Sequence, residues 1–496
     1  MSSALPFQST RLPSTAKARC KVLGQYFTEG LVAEFMASML QPQFDSSPLR
    51  ILDAGAGSGV LTMAVVTSCL ALNYTRMHAV LYEIDRTVLP HLEQNMSELV
   101  CTCAAERAQF TFEIRHEDFI KARPDKNEAP FHLSSINPPY FRYNSKSSGY
   151  AGATRDLFKG DPNIYASFMA VVAASLVPDG QMVAIVPRSF ANGLYFKGFR
   201  HYINRTLSLE RVHIFRARNH VFREASILQE NIICSYRKRN QSAHIVVSTS
   251  TGSLDLPEAE NRTYPTAQII DHSTEHEIIR IPESAEEARI LAQVEHWPSS
   301  FQKNGYFIST GPVVEHRTRD FIAPPNCKEN SVPLLRMHNI RPFRTEWTGT
   351  NRKDARFMLI KDYQKHVSAN QPYVILKRFS SKEEKRRLVA GVHDPALSRS
   401  SIIALENHLN YIGHKDYLDL CEAYGLAVLF NSTFMDLYFR CISGNTQVNA
   451  TEIRLLRLPD RQAIRRLGTL FQKNIHKEQD NDILLDSLVG QTFLTA

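Results

Sequence analysis

From Arg50 to Leu72 the chain reads RILDAGAGSGVLTMAVVTSCLAL: a short apolar run, a turn carrying Gly55, Gly57 and Gly59, then apolar residues recurring at helical spacing. No other stretch narrows the fold as far. A strand that runs straight into a helix rejoins its own sheet by a crossover, and a crossover brings the next strand in parallel to the first. The segments downstream keep that rhythm. MHAVLYEID reads as a second strand ending on Glu83 and Asp85, and TVLPHLEQNMSELV as a helix with Pro90 in its first turn. AQFTFEIRHEDF alternates like a third strand and ends at Asp118 and Phe119, and a fourth, SSI, stops on Asn137-Pro138-Pro139-Tyr140. A helix over NIYASFMAVVAASLV, a turn at Pro178-Asp179-Gly180 and a strand QMVAIVP follow. The expected fold class is α/β, with a doubly wound, mainly parallel sheet. Such sheets bind ligands at the carboxyl ends of their strands, so the glycine turn, Glu83, Asp118 and Asn137 should meet at one crevice.

After about residue 240 the pattern becomes short strand-like runs between polar turns, such as YFISTGPVVEHRTR and PYVILKRFSSKEEKRRLV, with no second glycine fingerprint. This predicts a first domain over 1–245, a connecting region over 246–300 and an irregular α+β domain over 301–496. A net charge of +8 and a pI near 9.0 favour a polyanionic partner. The eight cysteines lack zinc-ligand spacing, so free thiols in a reducing cytosol and no metal site are expected. The first twenty residues lack the apolar core of a secretory signal, and no later run is apolar for the length of a membrane span. A soluble, intracellular chain without a membrane partner is the expectation.

The turn Asp53 to Gly59 lets a ligand approach the backbone without a Cβ in the way. It lacks the Gly-Lys-Ser/Thr ending of a P-loop, which disfavours nucleoside triphosphate cleavage. A carboxylate at the end of the next strand can accept both hydroxyls of a ribose; Glu83 is the better candidate, and Asp85 equally fits a cap on the following helix. Dinucleotide oxidoreductases also use glycine turns, but hydride transfer asks for nothing like the stop at Asn137. An aryl or amide NH2 attacking an electrophilic methyl does. Its lone pair is delocalised until acceptors hold both N–H groups, and Asn137 supplies a side-chain carbonyl while Pro138 supplies a backbone one in a loop that Pro138 and Pro139 stiffen. Tyr140 offers a flat face for a planar base. The bland alternative is an Asx turn with Tyr140 packed in the core.

Together these residues resemble the class I S-adenosylmethionine-dependent methyltransferases, with a Rossmann-like sheet, and NPPY resembles the enzymes that methylate adenine N6. GQYFTEGLVAEFM is similar to the segment closing over the methionine end of the cofactor in such enzymes, which implies cofactor contacts for Tyr26, Phe27 and Thr28 beside those of Asp53, Gly55, Gly57, Gly59 and Glu83. The resemblance also implies that Asp118 binds the cofactor adenine, that Phe119 packs on it, and that Phe222, in NHVFREASILQENIICSYRK, flanks a flipped target base. STGPVVEHR, KRFSSKEEKRR, ENHLNYIGH and SGNTQVNATEIRLL resemble the target-recognition region of PstI/BsuBI-type modification methyltransferases, in the gamma group of adenine enzymes. The implied function is site-specific adenine N6 methylation of double-stranded DNA, in the bacterial or archaeal cytosol, beside a restriction endonuclease for the same site. The basic residues Lys377, Arg378, Lys382, Lys385, Arg386 and Arg387 suit phosphates, although Glu383 and Glu384 also make the run read as a solvated helix face. Gln447 and Asn449 suit adenine edges and Arg317 or Arg319 suit guanine, while Asn449 equally suits a helix cap. Methylation of a protein glutamine or an RNA base, and an inactive DNA-binding relative, are the rival readings.

Overall fold

The computed structural model describes residues 28–45, 48–125, 127–143, 149–160, 163–216, 230–272, 274–327, 329–380, 384–444, 447–474 and 482–493. The chain divides into two compact units between Glu283 and Ser284. The first is built on nine strands: β1 (Leu49–Ala54), β2 (Arg76–Tyr82), β3 (Gln109–Arg115), β4 (Phe131–Ile136), β5 (Leu176–Pro187), β6 (Ser208–Phe215), β7 (Asn231–Arg237), β8 (His244–Ser250) and β9 (Glu260–Pro265). Their spatial order is 3-2-1-4-5-7-6-8-9. β1 to β5 pair in parallel, and β7 lies antiparallel between β5 and β6. The chain winds outward from β1 to β3, then returns to β4 on the other side of β1. A crevice opens where the order reverses, because the connections after the two central strands leave in opposite directions.

Burial on both faces explains why the central strands read as continuous apolar runs. Ile51, Leu52 and Ala54 of β1 are all fully buried. Helices α1 (Gly30–Ser38), α2 (Val60–Ala71) and α3 (Leu89–Ala105) contribute Met36, Val65, Leu92 and Met96 to a core cluster shared with Ile51, Leu81, Leu133 and Ile185. Pro90 sits in the first turn of α3, where its missing N–H costs no hydrogen bond. Two short helices, α4 (Phe119–Ala122) and α5 (Gly149–Thr154), precede α6 (Ile164–Ser175), which packs against β1 and β5 and is apolar around its circumference, as a buried helix must be.

Two expectations are corrected. The segment 246–300 is not a connector: β8 pairs with β6, β9 pairs with β8, and the second unit has begun by the helix Ala285–Val294. Alternating strand patterns this short carry no mark of the sheet they will join. Pro178-Asp179-Gly180 does not precede β5 but lies inside it, with Asp179 at φ 59° and its N–H donated to Lys238 O at 2.9 Å.

The second unit is mixed α and β, as expected for this half. One sheet pairs Tyr306–Thr310, Leu409–His414, Tyr373–Lys377 and Ala390–His393, and another orders Ile322–Ala323, Ala355–Met358, Ser331–Leu335, Ile402–Leu405 and Val367–Ala369. Helices Leu420–Asn431 and Arg461–Asn474 pack on each other. No helix among the described residues is long and apolar enough to cross a membrane.

Candidate active site

Gly55, Gly57 and Gly59 all take left-handed backbone angles, at φ 88°, 56° and 82°. Position 59 is also tight: a Cβ there would stand 2.7 Å from Met96 Cε and 2.8 Å from Leu92 Cδ1, so those side-chain ends would have to shift. The turn is tied to the end of β2: Gly55 and Ala56 donate their N–H groups to Tyr82 O at 3.0 and 2.9 Å. Glu83 follows, with Oε2 accepting from Gly57 N and Oε1 from Asp85 N, both at 2.7 Å. Only 3% exposed, this carboxyl is raised above the ordinary range by burial, against the pull of those N–H groups. Asp85 instead accepts from Thr87 N at 3.0 Å, an Asx turn leading into α3.

Along the same strand edge, Asp118 caps α4 by accepting from Ile120 N, and its Oδ2 accepts the Tyr150 hydroxyl at 2.9 Å. Burial, then Asp118, push the Tyr150 hydroxyl up to about 12. Phe119 meets Tyr82 edge-on at 5.1 Å and Phe168 at 5.2 Å. At the end of β4 the Asn137 amide is held from both sides: Nδ2 donates to Thr28 Oγ1 at 3.1 Å, and Oδ1 accepts the Tyr140 hydroxyl at 2.8 Å. That hydroxyl also lies 2.9 Å from Ile185 O.

These ends enclose a cavity of about 220 Å³. Thr28, Gly55, Gly57, Glu83, Asp118, Phe119, Asn137 and Pro139 line it, so the four strand ends meet as the strand order suggested, and Thr28 of the N-terminal segment joins them. Asp53, Gly59, Pro138 and Tyr140 are not among the lining residues. Asp53 lies behind the turn, 1% exposed, with Oδ2 accepting from Thr62 Oγ1 at 2.6 Å; burial, then Glu83, drive its carboxyl up to about 7 against the bond from Thr62. Tyr140 is partly buried, and its ring stands at right angles to that of Tyr165 at 6.1 Å. Tyr26, Phe27, Phe222 and Lys382 lie outside the described residues. Tyr150 and Phe168 line the cavity without having been anticipated: the first comes from a polar stretch with no periodicity, the second from a helix whose pattern signals only burial.

In the second unit Arg317 and Arg319 are exposed, Lys377 and Arg386 are partly buried, and burial lowers the Lys377 pKa. Arg378 Nη1 donates to Asn407 O at 2.9 Å. Arg387 is fully buried, its Nε donating to Ser380 Oγ at 3.1 Å, so this member of the basic run belongs to the core. Gln447 pairs with Phe379 through a backbone bridge. Asn449 makes a capping box with Glu452 at the start of Ala450–Arg454, the helix cap that its position suited.

A family model described as the Eco57I restriction-modification methylase matches residues 63–222. The chain is 31% identical to the type II methyltransferase M.BsuBI of Bacillus subtilis over 95% of its own length and 94% of the relative's. It is 31% identical to the type II methyltransferase M.PstI of Providencia stuartii over 89% and 88%. Two solved structures share the fold at low identity. The type IIL restriction-modification enzyme MmeI, in complex with DNA, gives a TM-score of 0.56 at 11% identity, covering 97% of this chain and 73% of that one. A complex of DrdV with DNA gives 0.50 at 12%, covering 92% of this chain and 57% of that one.

Proposed function

The chain belongs to the type II methyltransferases, and from that membership we propose that it transfers the methyl group of S-adenosylmethionine to adenine N6 within a short sequence of double-stranded DNA. The cofactor supplies a methyl on a sulfonium, an electrophile that needs no base to activate it. The residues of the crevice suit that molecule: Glu83, clamped by two backbone N–H groups, for ribose hydroxyls, Asp118 and Phe119 for the adenine, and Thr28 near the reacting end. One N–H of the target amine then donates to Asn137 Oδ1 and the other to the Pro138 carbonyl, which localises the nitrogen lone pair toward the methyl. Bound there, S-adenosylmethionine would supply its methyl to that nitrogen and be left as the thioether, and the nitrogen's proton would pass to solvent. Extruding the adenine costs roughly a few kcal/mol, offset by contacts with Tyr140 and Phe222 in this reading.

The observation that carries it is the Asn137 amide, fixed between Thr28 and Tyr140 at the mouth of the same cavity that Glu83 and Asp118 line. Expressed in cells without adenine methylation, the chain should mark one short motif with N6-methyladenine in single-molecule sequencing. Asn137→Ala should abolish the mark while calorimetry still detects S-adenosylmethionine binding. An unmarked genome beside intact cofactor binding would turn the reading toward RNA or protein acceptors. Methylating host DNA places the chain in the bacterial or archaeal cytosol, and protection from a restriction endonuclease cutting the same motif is the role that fits.

A further inference from the structure

Hydrogen bonds join distant segments of the second unit. Arg378 N donates to His408 O at 2.9 Å, and Val448 N donates to Arg378 O at 2.7 Å, which sets Phe379 opposite Gln447. The buried Asn410 donates from Nδ2 to Val448 O at 2.7 Å and accepts from Thr310 Oγ1 at 2.9 Å. Next to Thr310, the backbone of Gly311 passes so close to Glu406 O that no Cβ fits between them. On this base stands the turn Glu406-Asn407-His408.

Glu406 is 3% exposed, and both its oxygens are turned to one residue. Oε2 accepts from His408 N at 3.0 Å, and Oε1 lies 2.8 Å from His408 Nδ1. The Phe379 ring meets the imidazole edge-on at 4.9 Å, yet half of the His408 side chain, 51%, stays in solvent. Burying a carboxylate is costly, and burial raises the pKa of this one. The cost is met to hold a ring that the core does not need, which is how a recognition group is fixed in advance. Nδ1 faces the carboxylate, and in the neutral ring that carries its proton on that nitrogen Nε2 is the acceptor.

We propose that His408 is a specificity-determining residue, whose Nε2 accepts the exocyclic amine of an adenine or cytosine in the major groove of the recognition sequence, with Arg378 and Gln447 brought near it along the backbone. The inference rests on the reading of the chain as a site-specific DNA methyltransferase. The test compares the full-length chain with His408→Ala; because this change takes the imidazole from the buried Glu406, thermal unfolding and S-adenosylmethionine binding first establish that the variant is folded. Motif mapping should show one position of the recognition sequence relaxed, with discrimination there reduced on the order of ten-fold. A duplex carrying purine for that adenine, or 2-pyrimidinone for that cytosine, lacks the amine; it should slow the wild type on the order of ten-fold and leave His408→Ala indifferent. An unchanged motif with unchanged discrimination in His408→Ala overturns this inference alone. If the wild type marks no DNA, the functional reading falls and takes the inference with it.

Discussion

Replacing Gly59 by alanine tests the central claim that the glycine turn is dictated by backbone angle and by packing at once. The residue sits at φ 82°, and holding an L side chain there costs about 1–2 kcal/mol. The new methyl would also lie 2.7 Å from Met96 Cε and 2.8 Å from Leu92 Cδ1, both in a sealed core. Those are the ends of flexible side chains, so they shift instead of blocking the fold, at about 1–3 kcal/mol for overpacking. The sum is about 2–5 kcal/mol, on the order of 10 °C in melting temperature for a unit of this size. Hydrogen exchange should report it first in peptides spanning 50–105, where α2 and α3 meet, while tryptophan fluorescence follows the second unit through Trp297 and Trp347. Gly152→Ala is the control: it lies in a helix with no heavy atom within 4 Å of the added Cβ, so it should be neutral or slightly stabilising. If Gly59→Ala unfolds within about 0.5 kcal/mol of Gly152→Ala, close to the scatter of surface substitutions, the reasoning from angle and contact is wrong.

Asp53 gives a pH prediction. Its folded carboxyl titrates at about 7 against 3.8 when free, so between those values the folded state holds a proton that the unfolded state lacks. Stability should therefore fall as pH rises through that window, by at most about 4 kcal/mol, and Asp53→Asn should flatten the slope in urea unfolding at pH 5 and pH 8. Equal slopes in the two proteins would count against the burial argument. Asn449→Ala should cost about 1 kcal/mol for the lost cap and leave the methylated motif as it was; a changed motif would return the residue to base reading.

The sequence was most legible where chemistry is local. Positive φ at Gly55, Gly57 and Gly59, Pro90 in a first helical turn and the alternation of strand and helix are written within a few neighbours, and crossover geometry then brings the ends of β1 to β4 to one edge. Asp85, read as a cap on the following helix, instead accepts from Thr87 N in an Asx turn ahead of α3, whose first turn begins after Val88. Legibility stopped where a side chain's role depends on what a remote segment brings to it. Arg387 and Arg386 are adjacent basic residues, yet only the first is sealed in the core, because Ser380 and Ser443 O come to it from elsewhere in the chain. Tyr140 carries a ring suited to stacking, but the neighbouring Tyr165 and Ile185 O decide that its edge and hydroxyl are engaged.

Backbone preference and hydrophobic period act over a few residues, so the sequence by itself determined the α/β half, the glycine turn, the order of the strand ends and the meeting of that turn with Glu83, Asp118 and Asn137 at one crevice. Burial and hydrogen-bond partnership are properties of the packed chain. Only the tertiary structure decided that Asp53 lies behind the turn, that Tyr150 rests on Asp118, that β8 and β9 extend the first sheet, and that Glu406 spends a buried carboxylate on His408.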